Sequence, residues 1–164
     1  MTANVPTLYL ISGKIAAGKS TLAERLAEPP STILLSEDHL LATLYPDEVF
    51  TLEDFIRCSR RVRKAVEPHV IALLKEGISV VMDFAANTPK QRQWMRSLFE
   101  EAGVRHELHY LDVPDAVCKA RLRERNASGD HAFQTNDAEF DMITAHFVPP
   151  AADEGFNVIV QQDG

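Results

Sequence analysis

The segment "SGKIAAGKST", Ser12–Thr21, combines two glycines with a lysine and two hydroxyl side chains at its end. Its core fits the pattern G-x-x-x-x-G-K-[ST], in which backbone N–H groups surround a phosphate group and the last hydroxyl binds Mg²⁺. Lys19 would then reach the β- and γ-phosphates of a nucleotide, and Ser20 would bind the metal. The residues predicted to contact the nucleotide are Gly13, Lys14, Ile15, Ala16, Ala17, Gly18, Lys19, Ser20 and Thr21.

Asp38 is the candidate for a general base. It follows the predicted strand Thr32–Leu35 and so lies at the carboxyl edge of the sheet, where ligands bind in open α/β sheets. Glu37 is a second candidate for the same role. The alternative interpretation is structural, because a serine followed by two acidic residues is typical of a helix N-terminus.

Asp83 and Asn87 follow the next predicted strand, Ile78–Met82, at the same edge. Asp83 is predicted to hold the Mg²⁺ through a bound water or to contact an acceptor hydroxyl. Its alternative role is to cap the following helix. Asn87 either caps that helix or contacts the acceptor, and the sequence leaves both possibilities open.

Arg121 and Arg125 are four residues apart in the predicted helix Pro114–Arg125, so both project from one face. A polar stretch, Asn126–Asp130, follows them. We predict a helical lid over approximately residues 121–137 that brings both arginines to a transferred phosphoryl group, whose charge needs cations. The alternative is a solvated basic helix end.

A second basic cluster lies between Arg57 and Lys64. Apolar residues at helical spacing mark the buried side of this segment, and Arg57, Arg61 and Lys64 share a flank beside it. Arg57 and Arg61 are predicted to contact an anionic part of the acceptor. The alternative is again a solvated face.

The elements that must position these residues alternate between short apolar strands and amphipathic helices. This order predicts an α/β protein with a parallel sheet and helices on both faces, and residues 1–164 form a single predicted domain. The predicted strands are Leu8–Ile11, Thr32–Leu35, Ile78–Met82, Glu107–Leu111 and Asn157–Val160, and the predicted helices are Lys19–Ala27, Glu37–Leu44, Leu52–Lys75, Pro89–Ala102 and Pro114–Arg125.

Composition narrows the class of protein further. The chain has 164 residues and a formal net charge of -7, which disfavours a protein that coats nucleic acid through phosphate neutralisation. A local basic groove stays possible. The start of the chain lacks a basic n-region, and no run approaches the roughly 20 apolar residues that span a bilayer, so we expect a cytoplasmic protein without a membrane segment.

Absent motifs separate three classes of phosphate enzyme. A GTPase needs an N-K-x-D motif, which does not occur. A motor-type ATPase needs a glutamate after Asp83 to activate water, and Phe84 stands there instead. A kinase, which passes the γ-phosphoryl group to a hydroxyl, is therefore the favoured class.

The stretches "LISGKIAAGKSTLAERLA", "LLSEDHL", "VVMDFAANTPKQRQW" and "LHYLDVPDAVCKARLRERN" resemble the small P-loop kinases. This group includes polynucleotide 5′-hydroxyl kinase domains, chloramphenicol phosphotransferase, gluconate kinase and the zeta toxins. The resemblance spans nearly the whole chain. It implies a P-loop NTPase fold with sheet order 2-3-1-4-5, an ATP·Mg²⁺ donor, a mobile lid, Asp38 as general base, and Arg121 and Arg125 as lid arginines.

One position departs from the polynucleotide enzymes of this group. There an arginine three residues after the aspartate binds the acceptor's phosphate, whereas Leu41 occupies that position here. The favoured hypothesis is therefore an ATP-dependent kinase for a hydroxyl of a small molecule. The alternatives are a polynucleotide 5′-hydroxyl kinase and a non-catalytic ATP-binding regulatory module.

Overall fold

The computed structural model describes residues 5–128 and 135–161, which form a five-stranded sheet flanked by helices. All neighbouring strands are parallel, as the sequence pattern predicted, and their order is β2-β3-β1-β4-β5, as the resemblance to the small P-loop kinases implied. The strands are β1 (Thr7–Gly13), β2 (Thr32–Ser36), β3 (Ser79–Asp83), β4 (Arg105–Leu111) and β5 (Val158–Gln161).

The register of the central strands brings the ends of three strands together. Strand β1 ends at Gly13, and β2 and β3 end on the paired residues Ser36 and Asp83. Because parallel strands end at one edge of the sheet, the segment after β1, the start of the helix after β2 and the segment after β3 are neighbours. The predicted site residues follow these three strands.

The helices begin at residues that suit a helix N-terminus. Ser36 accepts a hydrogen bond from the N–H of His39, and Thr51 and Asp54 form a reciprocal capping box. Thr88 caps the helix after β3, so of the two roles left open for Asn87 the capping role belongs to its neighbour. The helices are α1 (Lys19–Leu26), α2 (Glu37–Leu44), α3 (Leu52–Lys75), α4 (Pro89–Ala102), α5 (Asp115–Ser128) and α6 (Asp137–Thr144), with a short 3-10 turn over Ala152–Glu154.

Two apolar clusters cover the two faces of the sheet, which is why the strands are apolar on both sides. One cluster packs residues of α2, α3 and α4 against Val80 and Met82 of β3. The other packs residues of α1, α5 and α6 against Val81 of the same strand. Phe140 of α6 is buried in this second cluster, so α6 is fixed on α5.

Within the described residues, no helix is both long enough and apolar enough to cross a membrane.

Arg92 is a charged residue that is completely buried in α4. Its guanidinium donates to both carboxylate oxygens of Glu154, at 2.7 and 3.0 Å, and to the carbonyl oxygens of Ala86 and Val148, at 2.9 and 2.8 Å. One side chain thus ties the segment before β5 to the segment after β3. A buried charge is tolerated only when it is paired and hydrogen-bonded in this way.

We predict that Arg92→Met lowers the free energy of unfolding by about 3 kcal/mol, because it leaves Glu154 and buried carbonyl groups without their donor. Urea unfolding at neutral pH measures this loss. Lys90→Met, on the exposed side of the same helix, is the matched control and should change stability by less than about 0.5 kcal/mol. A loss below about 1 kcal/mol in Arg92→Met contradicts the role assigned to Arg92.

The difference between wild type and Arg92→Met should also depend on pH. The hydrogen bond from Arg92 lowers the pKa of Glu154. A lowered pKa in the folded state stabilises the protein above the ordinary glutamate pKa, and this contribution is lost as the pH falls through the lowered value. The gap in stability between the two proteins should therefore be widest near neutral pH and shrink in acid.

Candidate active site

The phosphate loop (Gly13–Ser20) joins β1 to α1 in a tight turn closed by a hydrogen bond from Ala17 N–H to the carbonyl of Lys14 at 3.1 Å. Gly18 has a φ of 103°, which favours glycine. A Cβ on Gly13 would lie 3.2 Å from the Cβ of Leu111, so the loop also needs a small residue at its start. The backbone thus favours glycine at position 18, and the close approach of the Leu111 side chain favours it at position 13.

The N-terminus of α1 is open to an anion. Its N-cap, Gly18, makes no side-chain capping bond, and the first turn holds no acidic residue. Uncapped N–H groups and the positive end of the helix dipole together favour a phosphate at this position.

The ammonium group of Lys19 lies at the centre of the site and donates to the carbonyl of Gly13 at 3.0 Å. Burial lowers the pKa of Lys19, whereas the negative charges of Asp83 and Asp38 raise it. Arg125 lowers it slightly further. These interactions mean that four of the predicted site residues share one region of the structure.

Ser20 and Asp83 meet directly, since the Ser20 hydroxyl donates to Asp83 Oδ2 at 3.1 Å. Burial raises the pKa of Asp83, and the Lys19 ammonium and the Ser20 hydroxyl lower it. A hydroxyl beside a carboxylate is an oxygen donor set that suits Mg²⁺. No group of three or more His, Cys, Asp or Glu side chains in the described part of the chain could hold a metal, so the remaining ligands would be phosphate oxygens and water, as Mg²⁺ prefers.

Asp38 and Glu37 differ in exposure although they are adjacent in the first turn of α2. Asp38 is exposed, and its charge acts on Lys19 and Arg125. Glu37 is buried, and its carboxylate accepts hydrogen bonds from Ser59 and from the N–H of Ala85, at 2.5 and 3.1 Å. Glu37 therefore connects α2 to its neighbours, and Asp38 is the carboxylate that a substrate can reach.

The two lid arginines have different contacts. Arg121 donates to the carbonyl of Ala17 in the phosphate loop at 3.2 Å. Burial lowers the pKa of Arg125, and Asp38 raises it. The Nε of Arg125 is buried and has no hydrogen-bond partner within the described residues. The guanidinium of Arg125 therefore keeps a donor that the described residues do not use.

Part of the predicted lid, residues 129–134, lies outside the described residues. The residues on either side of it approach each other, because Asn126 Nδ2 donates to the carbonyl of Thr135 at 2.6 Å and Arg123 forms an ion pair with Asp137. Lys119 and Asp141 add a second ion pair between α5 and α6, at 2.8 Å.

Arg57 and Arg61 are exposed on α3. Arg57 donates to Asp54 at 3.0 Å, and the surface around both arginines forms a shallow cleft with Glu53, Ile56 and Arg60. The buried residues of α3 lie on the other side of the helix. The structure thus brings Lys19, Ser20, Asp38, Asp83 and Arg125 together, whereas no described contact joins Arg57 or Arg61 to them.

Asn87 is joined to the phosphate loop itself. Its Oδ1 accepts a hydrogen bond from Gly13 N–H at 3.1 Å, and its backbone carbonyl accepts one from Val148 N–H at 2.8 Å. Asn87 therefore supports the start of the loop, a role that its place after β3 did not reveal.

Arg63 is a site residue that the sequence analysis missed. It donates to Glu37 Oε2 at 3.1 Å and to the carbonyl of Ala85 at 2.8 Å, and its guanidinium lies 5.1 Å from the ring centre of Trp94. One signal could have found it, since Ser59 and Arg63 are a polar pair four residues apart beside the apolar stripe of α3.

No curated protein matches the chain. Solved structures that resemble it include a proposed kinase from Chloroflexus aurantiacus J-10-fl, with a TM-score of 0.77, 18% identity, and coverage of 98% of this chain and 87% of that chain. The Mycobacterium tuberculosis APS kinase CysC in complex with AMPPNP and APS has a TM-score of 0.62 at 19% identity, covering 98% of this chain and 91% of that chain. A Pnkp1/Rnl/Hen1 RNA repair complex has a TM-score of 0.61 at 19% identity, covering 92% of this chain and 50% of that chain.

These likenesses, at 18% and 19% identity, show the fold, which is that of the P-loop kinases. They agree with the sheet order and with the loop-to-helix arrangement at Lys19. A family model described as "AAA domain" (AAA_33) matches residues 8–150, which is most of the chain. The chain therefore belongs to this AAA domain family.

Proposed function

We propose that this protein is an ATP-dependent kinase that transfers the γ-phosphoryl group to a hydroxyl of a small molecule. The observation that carries the proposal is that Asp38, Asp83 and Arg125 lie close enough to Lys19 for their charges to shift its pKa, at the open N-terminus of α1. A nucleotide-binding module without activity needs the loop and its lysine. It does not need an exposed carboxylate opposite an arginine.

Asp38 would act as the general base. Its carboxylate is exposed at the sheet edge, next to the region where the phosphate loop would hold the γ-phosphate. A positioned carboxylate accepts the proton of an attacking hydroxyl as the oxygen bonds to phosphorus, which is the role of the base in kinases. Arg125, whose pKa the charge of Asp38 raises, would face the transferred group.

The charge of the transferred group would be stabilised by Lys19, by Arg125 and by the N–H groups at the start of α1. These groups are held before substrate binds, so they need little rearrangement during the reaction. Arg121 would act through the loop, because its partner is the Ala17 carbonyl.

Ser20 and Asp83 would hold Mg²⁺, Ser20 as a ligand and Asp83 through a bound water. When bound, Mg²⁺ neutralises charge on the β- and γ-phosphates. Asp83 would also orient the Ser20 hydroxyl, since the two are hydrogen-bonded.

A polynucleotide 5′-hydroxyl kinase is the second candidate. The exposed arginines of α3 favour it, as does the structural likeness to the RNA repair complex. Leu41 weighs against it, because this side chain is completely buried and presents nothing to a phosphate. The net charge of -7 also disfavours a long anionic acceptor.

The first prediction from this function is that the protein, supplied with Mg²⁺ and ATP labelled in its γ-phosphate, transfers the label to a small alcohol. It should not transfer the label to an unphosphorylated oligonucleotide. The alcohol pool holds sugars, nucleosides, nucleotide sugars, aminoglycosides and chloramphenicol, and Lys19→Ala supplies the blank. Label on the oligonucleotide would select the second candidate. Tight ATP binding with label in neither tube would favour a regulatory module and count against a kinase.

The second prediction concerns Asp38. Asp38→Asn should lower the transfer rate at least about 10²-fold, because the amide cannot accept the proton, while the affinity for ATP stays nearly unchanged. Asp47→Asn is the matched control, since Asp47 is exposed after α2 with a φ of 59°, a backbone conformation that asparagine also adopts. An unaltered rate in Asp38→Asn would remove this residue from the mechanism.

The third prediction concerns the metal. Asp83→Asn should raise the Mg²⁺ concentration for half-maximal rate by about 10- to 100-fold, as the loss of a residue that orients a ligand does. A titration of transfer rate against Mg²⁺ after treatment with EDTA measures this shift. A Mg²⁺ requirement equal to that of wild type and Asp47→Asn would contradict the assignment.

A further inference from the structure

Arg63 is held rigidly but keeps part of its guanidinium unused. Only 11% of its side chain is exposed, and its Nε donates to Glu37 and Ser59 while its Nη2 donates to Ala85. The remaining nitrogen, Nη1, contacts no acceptor atom among the described residues. This nitrogen is not fully buried. The ring of Trp94 at 5.1 Å limits the movement of the group.

The ion pair with Glu37 places Arg63 at the candidate site. The charge of Glu37 acts on both Lys19 and Asp83, so these groups lie close to the carboxylate that Arg63 contacts. A molecule that offers its hydroxyl to Asp38 would therefore come near the guanidinium of Arg63. No step of the proposed reaction uses this group.

Among the described residues, the charges at this position nearly cancel before any ligand binds. The cation of Arg63 is matched by Glu37, with which it forms a buried ion pair. Arg121 adds one cation at the phosphate loop, but ATP with its Mg²⁺ is itself an anion. With the donor bound, the part of the site that the structure describes thus offers a further ligand no surplus of positive charge. Its carboxylates are Glu37, Asp38 and Asp83, and its cations are Lys19, Arg63, Arg121 and Arg125.

We infer that the phosphoryl acceptor is an uncharged polyhydroxyl compound, such as a sugar or a nucleoside, and that Arg63 Nη1 donates a hydrogen bond to one of its non-reacting oxygens. This inference rests on the proposed kinase function and narrows its substrate class. A neutral oxygen gains the hydrogen bond without bringing charge. A carboxylate or phosphate would be repelled by Asp38, Asp83 and the phosphates of the donor.

Acceptors that differ in charge test the inference on the unaltered protein. Adenosine is compared with adenosine 3′-monophosphate, and methyl glucoside with methyl glucuronide. We expect kcat/KM to be at least about tenfold higher for the neutral member of an accepted pair.

Two results would overturn the inference. Preference for the anionic member would do so while leaving the kinase function intact. Absence of transfer to all four compounds would also do so, and the kinase function would then survive only if label reaches another acceptor of the pool or the oligonucleotide. Failure of the inference and failure of the proposed function are therefore distinguishable.

Arg63→Lys tests the residue itself. Lysine keeps the positive charge opposite Glu37 but lacks the second guanidinium nitrogen, so KM for the accepted neutral compound should rise about fivefold with KM for ATP unchanged. Ser59→Ala is the control, because it disturbs the same buried cluster and leaves Arg63 in place. Equal changes in both variants would show that Arg63 has only a structural role. The comparison of charged and neutral acceptors uses the unaltered protein, so it tests the inference even if Arg63→Lys fails to fold.

Discussion

The ammonium group of Lys19 is desolvated at the start of α1, and a desolvated charge must be compensated by its surroundings. This requirement explains why acidic residues from two other strand ends lie close to it. Asp83 comes from the end of β3 and Asp38 from the start of α2, and both are brought there by the order of the sheet. The negative charge of each aspartate raises the pKa of Lys19, which burial lowers. Burial also raises the pKa of Asp83. The pKa values of Lys19 and Asp83 thus depend on each other and on burial.

Groups outside the site hold this arrangement in place. Asn87 fixes the start of the phosphate loop, and its own backbone is bonded to Val148. Arg92 ties the segment after β3 to Glu154 and to the carbonyl of Val148. The loop that would hold the nucleotide therefore depends on a segment far along the chain, after α6. The completely buried Arg92 therefore supports the site as well as the stability of the fold. It donates to the carbonyl of Ala86, the residue next to Asn87.

The strands and the phosphate loop could be predicted because each leaves a local pattern in the sequence, whereas the sheet order was implied only by the resemblance to the small P-loop kinases. Short apolar runs mark strands that are buried on both faces, and the spacing of Gly13, Gly18 and Lys19 meets the needs of a single turn. The roles of Asn87 and Glu37 were not predictable in the same way. Their partners, Gly13 and Arg63, are 74 and 26 residues away, and only the folded chain brings them together. The sequence also did not show which of the two adjacent carboxylates is exposed. Glu37 and Asp38 carry the same charge, but only the side of α2 that holds Glu37 is buried.

The sequence predicted that Arg121 and Arg125 lie on one face of a helix. Their different partners follow from the direction of α5. Four residues advance a helix by about 6 Å along its axis, so two side chains on one face reach points that far apart. Arg121 reaches the phosphate loop at Ala17, and Lys14 pairs with Asp115 at the start of the same helix, at 2.5 Å. These two contacts fix α5 against the loop that would hold the donor. Arg125, one turn further on, is then directed by helix geometry towards Asp38, so a single rigid helix sets the distance between the donor phosphates and the base that would receive the acceptor's proton.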